Sequence, residues 1–247
     1  MSGPASARYR RGMDRDRAQV LANLAEIQAR IARACERVGR SPSSVRLVAA
    51  GKTVEPEAII WVRDAGVLEV GENYVAELRA KREAVEGVVW HFIGTLQRGS
   101  AHHLAELADV VETVIPGSAA RRLARRAVER NRVVPVLIEV DLTSERTGIP
   151  PHAVADAADE IAGIRGLALH GLMTLPPMPS TAEDSRDDFR RLRELLEVVA
   201  ERHPQVRELS MGMSLDYEVA VEEGATMVRI GTALFGARLP PPDRGRT

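Results

Sequence analysis

The chain has 247 residues, 45% of them hydrophobic and only 3% aromatic, and a formal net charge of −1. That length is ordinary for one α/β barrel, and its core must be aliphatic. The near-zero charge excludes a general electrostatic grip on nucleic acid or anionic lipid, no apolar run is long enough to span a bilayer, and the single cysteine excludes an internal disulfide.

Residues 1–13 are small and basic, lack the hydrophobic stretch of a signal peptide, and read as a disordered lead-in. Met13 is a candidate native start, and the expected location is the cytosol. The first periodic segment covers residues 14–38, where Val20, Leu21, Leu24, Ile27, Ile31 and Ala34 recur at helical spacing and Gly39 supplies a C-cap. Cys35 falls on the apolar face of this helix, as a small hydrophobe.

From there the pattern alternates. Short β-branched runs occur at 45–50, 67–70, 88–93, 110–114, 134–140, 167–173, 208–211 and 227–230. Helical stretches lie between them, for example at 55–65, 74–85, 101–108, 119–131, 153–161, 182–202 and 217–223. Alternating elements with short links imply parallel strands and right-handed crossovers. Eight such units close into a single (β/α)8 barrel over residues 14–238, a doubly wound open sheet being the alternative. Residues 239–247 read as an extended, mobile tail.

Among 34 basic side chains only two are lysines, Lys52 and Lys81. Where charge alone is needed this sequence uses arginine, so a retained lysine points to a need for a primary amine. Lys81 lies in a highly charged helical stretch and reads as a solvated surface residue. Lys52 follows the apolar first strand and so falls at the C-terminal mouth of a barrel, where barrel chemistry sits. A lysine partly withdrawn from water is a candidate nucleophile toward an aldehyde. The plainer alternative is a lysine that merely caps the strand mouth or pairs with Glu72.

The loops after strands seven and eight of such barrels often bind phosphate. Here they read Ser210-Met211-Gly212-Met213-Ser214 and Arg229-Ile230-Gly231-Thr232. The first offers two hydroxyls and a glycine, and the second leaves a strand for a helical turn whose free N–H groups favour an anion. Arg229 alternates with Gly231, so it can face the mouth, either in a structural salt bridge or as the partner of a pyridine nitrogen, a role that arginine fills in some cofactor enzymes.

These segments, with Leu47-Val48-Ala49-Ala50-Gly51-Lys52-Thr53, Gly71-Glu72-Asn73-Tyr74, Trp90-His91-Phe92-Ile93-Gly94, His170-Gly171-Leu172-Met173 and Asp216, carry a resemblance over nearly the whole chain. The sequence resembles the pyridoxal 5′-phosphate (PLP) homeostasis protein family, also called the YggS/PROSC family. The resemblance implies a barrel like that of alanine racemase and PLP held as a Schiff base on Lys52. It implies a phosphate held by Ser210, Gly231 and Thr232 with help from Ser214, Arg229 facing the pyridine nitrogen, and Asn73 near the cofactor. It further implies a carrier or regulator of free PLP without robust catalysis, with apo PLP-dependent enzymes as possible acceptors. A monomer is expected, because the domain that pairs racemase subunits has no counterpart here. The sequence departs from the family pattern at Thr95, Gly99-Ser100 and Arg146. Any secondary PLP site at those positions is in doubt.

No histidine has zinc-ligand spacing with Cys35, and His102 and His103 are expected to point apart on a helix. His91 and His170 read as packed strand histidines, Glu222-Glu223 and Asp187-Asp188 as solvated helix faces, and Pro176-Pro177-Met178-Pro179 as a stiff loop over the mouth. The rival function is a PLP-dependent amino-acid racemase, which would need a second base, and Tyr9, Tyr74 and Tyr217 fall in the lead-in or in helical segments. A third reading is a barrel for another phosphate ester that uses Lys52 only as a charge.

Overall fold

In the computed structural model, which describes residues 15–143 and 147–237, the helical periodicity of the first segment becomes α1 (Arg17–Arg37). Asp16 caps it by accepting a hydrogen bond from the Ala18 N–H. Gly39, at φ +68°, lets the chain turn back so that the Arg40 N–H reaches the Cys35 carbonyl at 2.9 Å. Cys35 is fully buried with Val20, Leu24, Ile27, Ile31 and Ala34.

Eight strands follow: β1 (Arg46–Ala50), β2 (Glu69–Glu72), β3 (Val89–Phe92), β4 (Val110–Val114), β5 (Val134–Val140), β6 (Leu167–Thr174), β7 (Glu208–Ser210) and β8 (Met227–Ile230). The helices between and after them are α2 (Pro56–Asp64), α3 (Val75–Ala84), α4 (Ala101–Leu107), α5 (Ser118–Glu129), α6 (Val154–Ala162), α7 (Arg186–Arg202), α8 (Tyr217–Glu222) and α9 (Thr232–Phe235). All pairings are parallel, and β1 pairs with β8 from Arg46↔Met227 to Ala49↔Ile230, which closes the barrel and removes the open-sheet alternative. β2 starts two residues later than its apolar run suggests, because the Val67 N–H is committed to the Val62 carbonyl at the end of α2.

The alternation of strand side chains sorts the core into two parts. Outward-facing Ala49, Val70, Trp90, Val111, Ile138, Leu172 and Val228 join the helices in one continuous aliphatic layer. Inside the barrel lies a small buried apolar cluster of Val48, Leu137, Met173 and Met227, with Val110 and Leu175 packed against it. Polar groups on β2, β3, β4, β7 and β8 share the interior with them and shape the site described below. The readings made for residues 1–13, Met13, Arg146 and residues 239–247 fall outside the described residues. No helix among the described residues is long and apolar enough to cross a membrane.

β6 needs glycine at one point. A Cβ on Gly171 would stand 2.1 Å from the Glu208 carbonyl oxygen of β7, a backbone atom that cannot swing away. Gly171→Ala is therefore expected to destabilise the fold by about 1–3 kcal/mol in urea unfolding, as overpacking of a closed sheet does.

Candidate functional site

The turn after β1 presents Lys52. Thr53 occupies the left-handed region at φ 63°, rare for a β-branched residue. Three contacts hold the turn: the Gly51 N–H donates to the Gly71 carbonyl at 2.8 Å, Val54 N–H to the Gly51 carbonyl at 2.8 Å, and Thr53 N–H to Glu77 Oε2 at 2.9 Å. Beneath it lies Lys81. This residue is not solvated, as its charged neighbours suggested, but fully buried. Its ammonium donates to the Gly51 carbonyl at 2.7 Å, to Glu72 Oε1, and to Glu77 Oε2 at 2.9 Å. α3 places Lys81 one turn after Leu78 on its inward face, and three acceptors meet its three donors. Burial pushes the Glu72 carboxyl up to about 7, against the pull of Lys81. Glu72 is thus the partner of Lys81, and Lys52 is left for the mouth of the barrel.

There Lys52 lines a cavity of about 480 Å³. Asn73, Ser214, Arg229, Gly231 and Thr232, all singled out in the sequence, line the same cavity. Asn73 is oriented by a 3.4 Å hydrogen bond from its amide to the Ile93 carbonyl. Ser214 Oγ accepts from the Ala233 N–H at 3.1 Å, so this hydroxyl sits at the first turn of α9, beside Gly231 and Thr232. Gly231 passes close to β1: a Cβ there would meet the Ala50 carbonyl oxygen at 3.2 Å. Leu175, Pro176, Met178 and Pro179 form part of the rim. Arg15, which sequence reasoning missed, also lines the cavity, with Nε donating to the Phe235 carbonyl at 3.0 Å and an ion pair to Glu55. No local pattern marks it, since its partner Phe235 lies at the far end of the chain.

Ser210 is the one candidate that the structure does not bring to the cavity wall. It is fully buried on β7, donates to Glu112 Oε2, and accepts from Arg229. It belongs to a row of polar groups across the barrel interior. Arg229 also donates to the Thr174 carbonyl at 2.8 Å, and its guanidinium lies 3.8 Å from Glu112. Glu112 Oε1 is 2.7 Å from His91 Nδ1, and His91 Nε2 lies 3.0 Å from Glu69 Oε2. At the bottom, Arg46 bridges Glu69 at 3.2 Å and Glu208 at 2.6 Å. Burial opposes a charge on His91, but the Glu112 carboxylate, which accepts its hydrogen bond, and the nearby Glu69 carboxylate outweigh it and raise the imidazole to about 9. Burial likewise works against the Glu112 carboxylate, yet His91, Arg229 and Ser210 hold it below the usual range. The result is a fixed positive charge, Arg229, in the floor of the cavity.

Other sequence readings are corrected by packing. His102 and His103 do not point apart; their ring centroids are 3.8 Å apart, and each ring lies against an arginine, Arg122 and Arg79. Glu223 is not solvated but buried, held by Arg186 at 2.9 Å, because α8 packs its acidic end against the start of α7. Tyr74 is the cap residue before α3 rather than a helical residue, half-exposed, with its ring 5.0 Å from Lys52 Nζ. His91 is a packed strand histidine, whereas His170 is exposed. Among the described residues no group of His, Cys, Asp and Glu could hold a metal ion.

A parallel eight-stranded barrel with a lysine at the end of β1, and with Ser214, Gly231 and Thr232 after β7 and β8 lining the same cavity, defines a class, and comparison with known proteins narrows it. The model of the alanine racemase N-terminal domain matches residues 22–239. The pyridoxal phosphate homeostasis protein of Aquifex aeolicus (strain VF5) is 40% identical over 220 residues, covering 87% of this chain and 96% of the relative. That of Escherichia coli (strain K12) is 37% identical over 223 residues, covering 87% and 95%. The structure of PipY from Synechococcus elongatus PCC7942 with PLP bound superposes with a TM-score of 0.78 at 31% identity, covering 88% of this chain and 100% of PipY. Alanine racemase of Clostridium difficile 630 shares the fold at a TM-score of 0.71 and 14% identity. The chain belongs to the alanine racemase N-terminal-domain family and, within it, to the pyridoxal phosphate homeostasis proteins.

Two stability measurements check this site. A histidine whose folded pKa lies above its unfolded value adds stability that is complete below pH 6.5 and lost as pH rises through about 9. Unfolding free energy should therefore fall by on the order of 3 kcal/mol across that window, and the part above pH 7 should be absent in His91→Gln. Glu72, raised to about 7, contributes in the same sense at lower pH, with stability lost as pH rises from 4.5 through 7. Lys81→Ala strips the buried Glu72 of its cation and should cost about 3–5 kcal/mol in urea unfolding at pH 8. The cost should be smaller at pH 6, where Glu72 takes up a proton.

Proposed function

We propose that this chain binds PLP and serves PLP homeostasis, with the cofactor held through an imine bond to Lys52 Nζ. The observation that carries this reading is the placement, in one cavity, of a single amine, a buried guanidinium and a hydroxyl-lined cradle. PLP has an aldehyde, a pyridine nitrogen and a phosphate at three corners of one ring, and the cavity offers a matching group to each. The aldehyde forms reversible imines with primary amines, which is the chemistry that PLP supplies when bound.

The residues fit the cofactor. Ser214, Gly231 and Thr232 would hold the phosphate at the first turn of α9, which Gly231 lets pass close to Ala50 of β1. Arg15 adds a positive charge at that end. Arg229 would face the ring nitrogen. It donates one hydrogen bond to Ser210 and one to the Thr174 carbonyl, so its orientation is fixed from below. A permanently charged guanidinium has no proton to spare for the ring, so the bound cofactor would be a weak electron sink, suited to simple binding or a racemase-like step better than to transamination. Asn73 would border the ring beside Lys52. Ser210, in this reading, reaches the cofactor through Arg229 and not by touching the phosphate. The same reading makes the chain a cytosolic monomer that buffers PLP and passes it to apo PLP-dependent enzymes.

The purified protein incubated with PLP should turn yellow. Borohydride reduction should fix the added mass on the peptide containing Lys52, and Lys52→Ala should stay colourless. Absorbance and peptide mass spectrometry read both. Label found only on the chain terminus or on Lys81, or none at all, would sink the reading.

A further inference from the structure

Beside the cavity at Lys52 opens a second, of about 490 Å³, which shares Lys52 and Asn73 with it and belongs to the same site. A third, of about 180 Å³, stands apart and has no residue in common with either. It is a cleft lined by His102 of α4 and by Arg122, Arg125, Arg126 and Glu129 of α5. The pairing of arginines changes here. Elsewhere they meet carboxylates, as Arg186 meets Glu183, Glu222 and Glu223. Arg122 instead directs Nη2 to His102 Nδ1 at 3.3 Å, and its Nε is buried with no acceptor. Next to it, Arg79 of α3 directs Nη2 to His103 Nδ1 at 3.1 Å. Arg125 is exposed and only loosely paired, 4.0 Å from Glu129, whose charge is already met by Arg126 at 3.1 Å. A guanidinium can only donate, so each Nδ1 accepts and the ring proton lies on Nε2. Both imidazoles are therefore uncharged here, and each keeps one N–H donor.

We propose that the cleft between α4 and α5 is a binding site for a tetrahedral dianion, the phosphate group of a small phosphate ester. The proposal does not depend on the PLP reading above. Arg122 brings a guanidinium that no carboxylate neutralises, and a ligand oxygen would give its Nε the acceptor it lacks. Arg125 adds a second charge at the opening, and His102 an N–H. Glu129 on the wall and Glu106, paired with Arg126 at 2.6 Å, would repel an extended polyanion such as nucleic acid, so the ligand is small. The histidine pair couples the site to pH. Burial, the adjacent His102 and Arg79 hold His103 below its ordinary pKa, Arg122 adds to this, and Glu106 works against it. A dianion offsets the arginines and lets the pair take up a proton. Binding should tighten as pH falls through the ordinary histidine range, about 6.5.

The test follows the imidazole NMR signals of His102 and His103 in the full chain. Inorganic phosphate and, separately, glycerol phosphate are added at constant ionic strength. Both should move the signals saturably, and chloride should not. Arg122→Gln should weaken binding about tenfold and Arg125→Gln about threefold. Arg125 is exposed, so its variant decides the matter if Arg122→Gln fails to fold. Sulfate, which keeps its charge across the neutral range, should bind about threefold more tightly at about pH 5.5 than at about pH 7.5. A linear response, an equal response to chloride, or parent-like affinity in both variants overturns the proposal. A flat sulfate profile overturns the role given to the histidines. Phosphate that settles only at the first turn of α9 would move Ser214 and Thr232 and leave the imidazoles still, which speaks for the first cavity and against this cleft. Cosedimentation with phosphatidylcholine vesicles carrying phosphatidic acid, with no response to free phosphate or glycerol phosphate, would give the cleft to a lipid headgroup and overturn the small-ester assignment.

Discussion

The rest of the structure depends on how charge is held inside the barrel. Eight parallel strands enclose a space that most such folds fill with aliphatic side chains. Here Glu69, His91, Glu112, Ser210 and Arg229 run through it in contact, from β2 to β8. An isolated ion in that environment would cost many kcal/mol, so each member of the row requires its neighbour. The row ends at Arg229, on the floor of the cavity. The positive charge there cannot drift or be given up, because the same contacts that make it tolerable also fix its orientation. Chemistry at the mouth and stability of the interior are thus one problem with one solution.

A similar coupling operates at Lys52. Its turn passes through a left-handed threonine and is fastened from below by Lys81, Glu77 and the backbone of β2. The two lysines divide the work. One is buried, satisfied and immobile, and the other is left with its amine between two cavities. A strained turn persists only where its surroundings over-determine it, and here the buried ion cluster does so.

Much of this was legible in the sequence, for a reason that also explains what was not. Strand and helix periodicities are local, so all eight strands and the helices between them could be read, and β4, β5 and β8 fall on their residues with no shift. The position of Lys52 at a strand end is local too. Which way a charged residue faces is not. Lys81 sits among Arg79, Arg82 and Glu83 and looks like surface, yet it lies on the side of α3 that meets β1 and β2. Glu223 and the His102–His103 pair fail for the same reason: their arginine partners come from other helices. For Ser210 the sequence gives the region but not the depth. It is the last residue of β7 and faces the interior, while Ser214, four residues on, reaches the cavity. Arg15 needed the closure of the chain upon itself, since its contact with Phe235 spans 220 positions.

The arginine bias of the chain has a consequence for any aldehyde that meets its surface. Free aldehydes condense with any exposed amine, and an ordinary protein surface offers dozens of lysines for such stray adducts. This chain has two lysines in 247 residues, one of them sealed in an ion cluster, and a guanidinium resists that condensation. Its surface is therefore poor in groups that capture aldehydes, and an aldehyde that meets it would find one unsealed lysine per molecule rather than many.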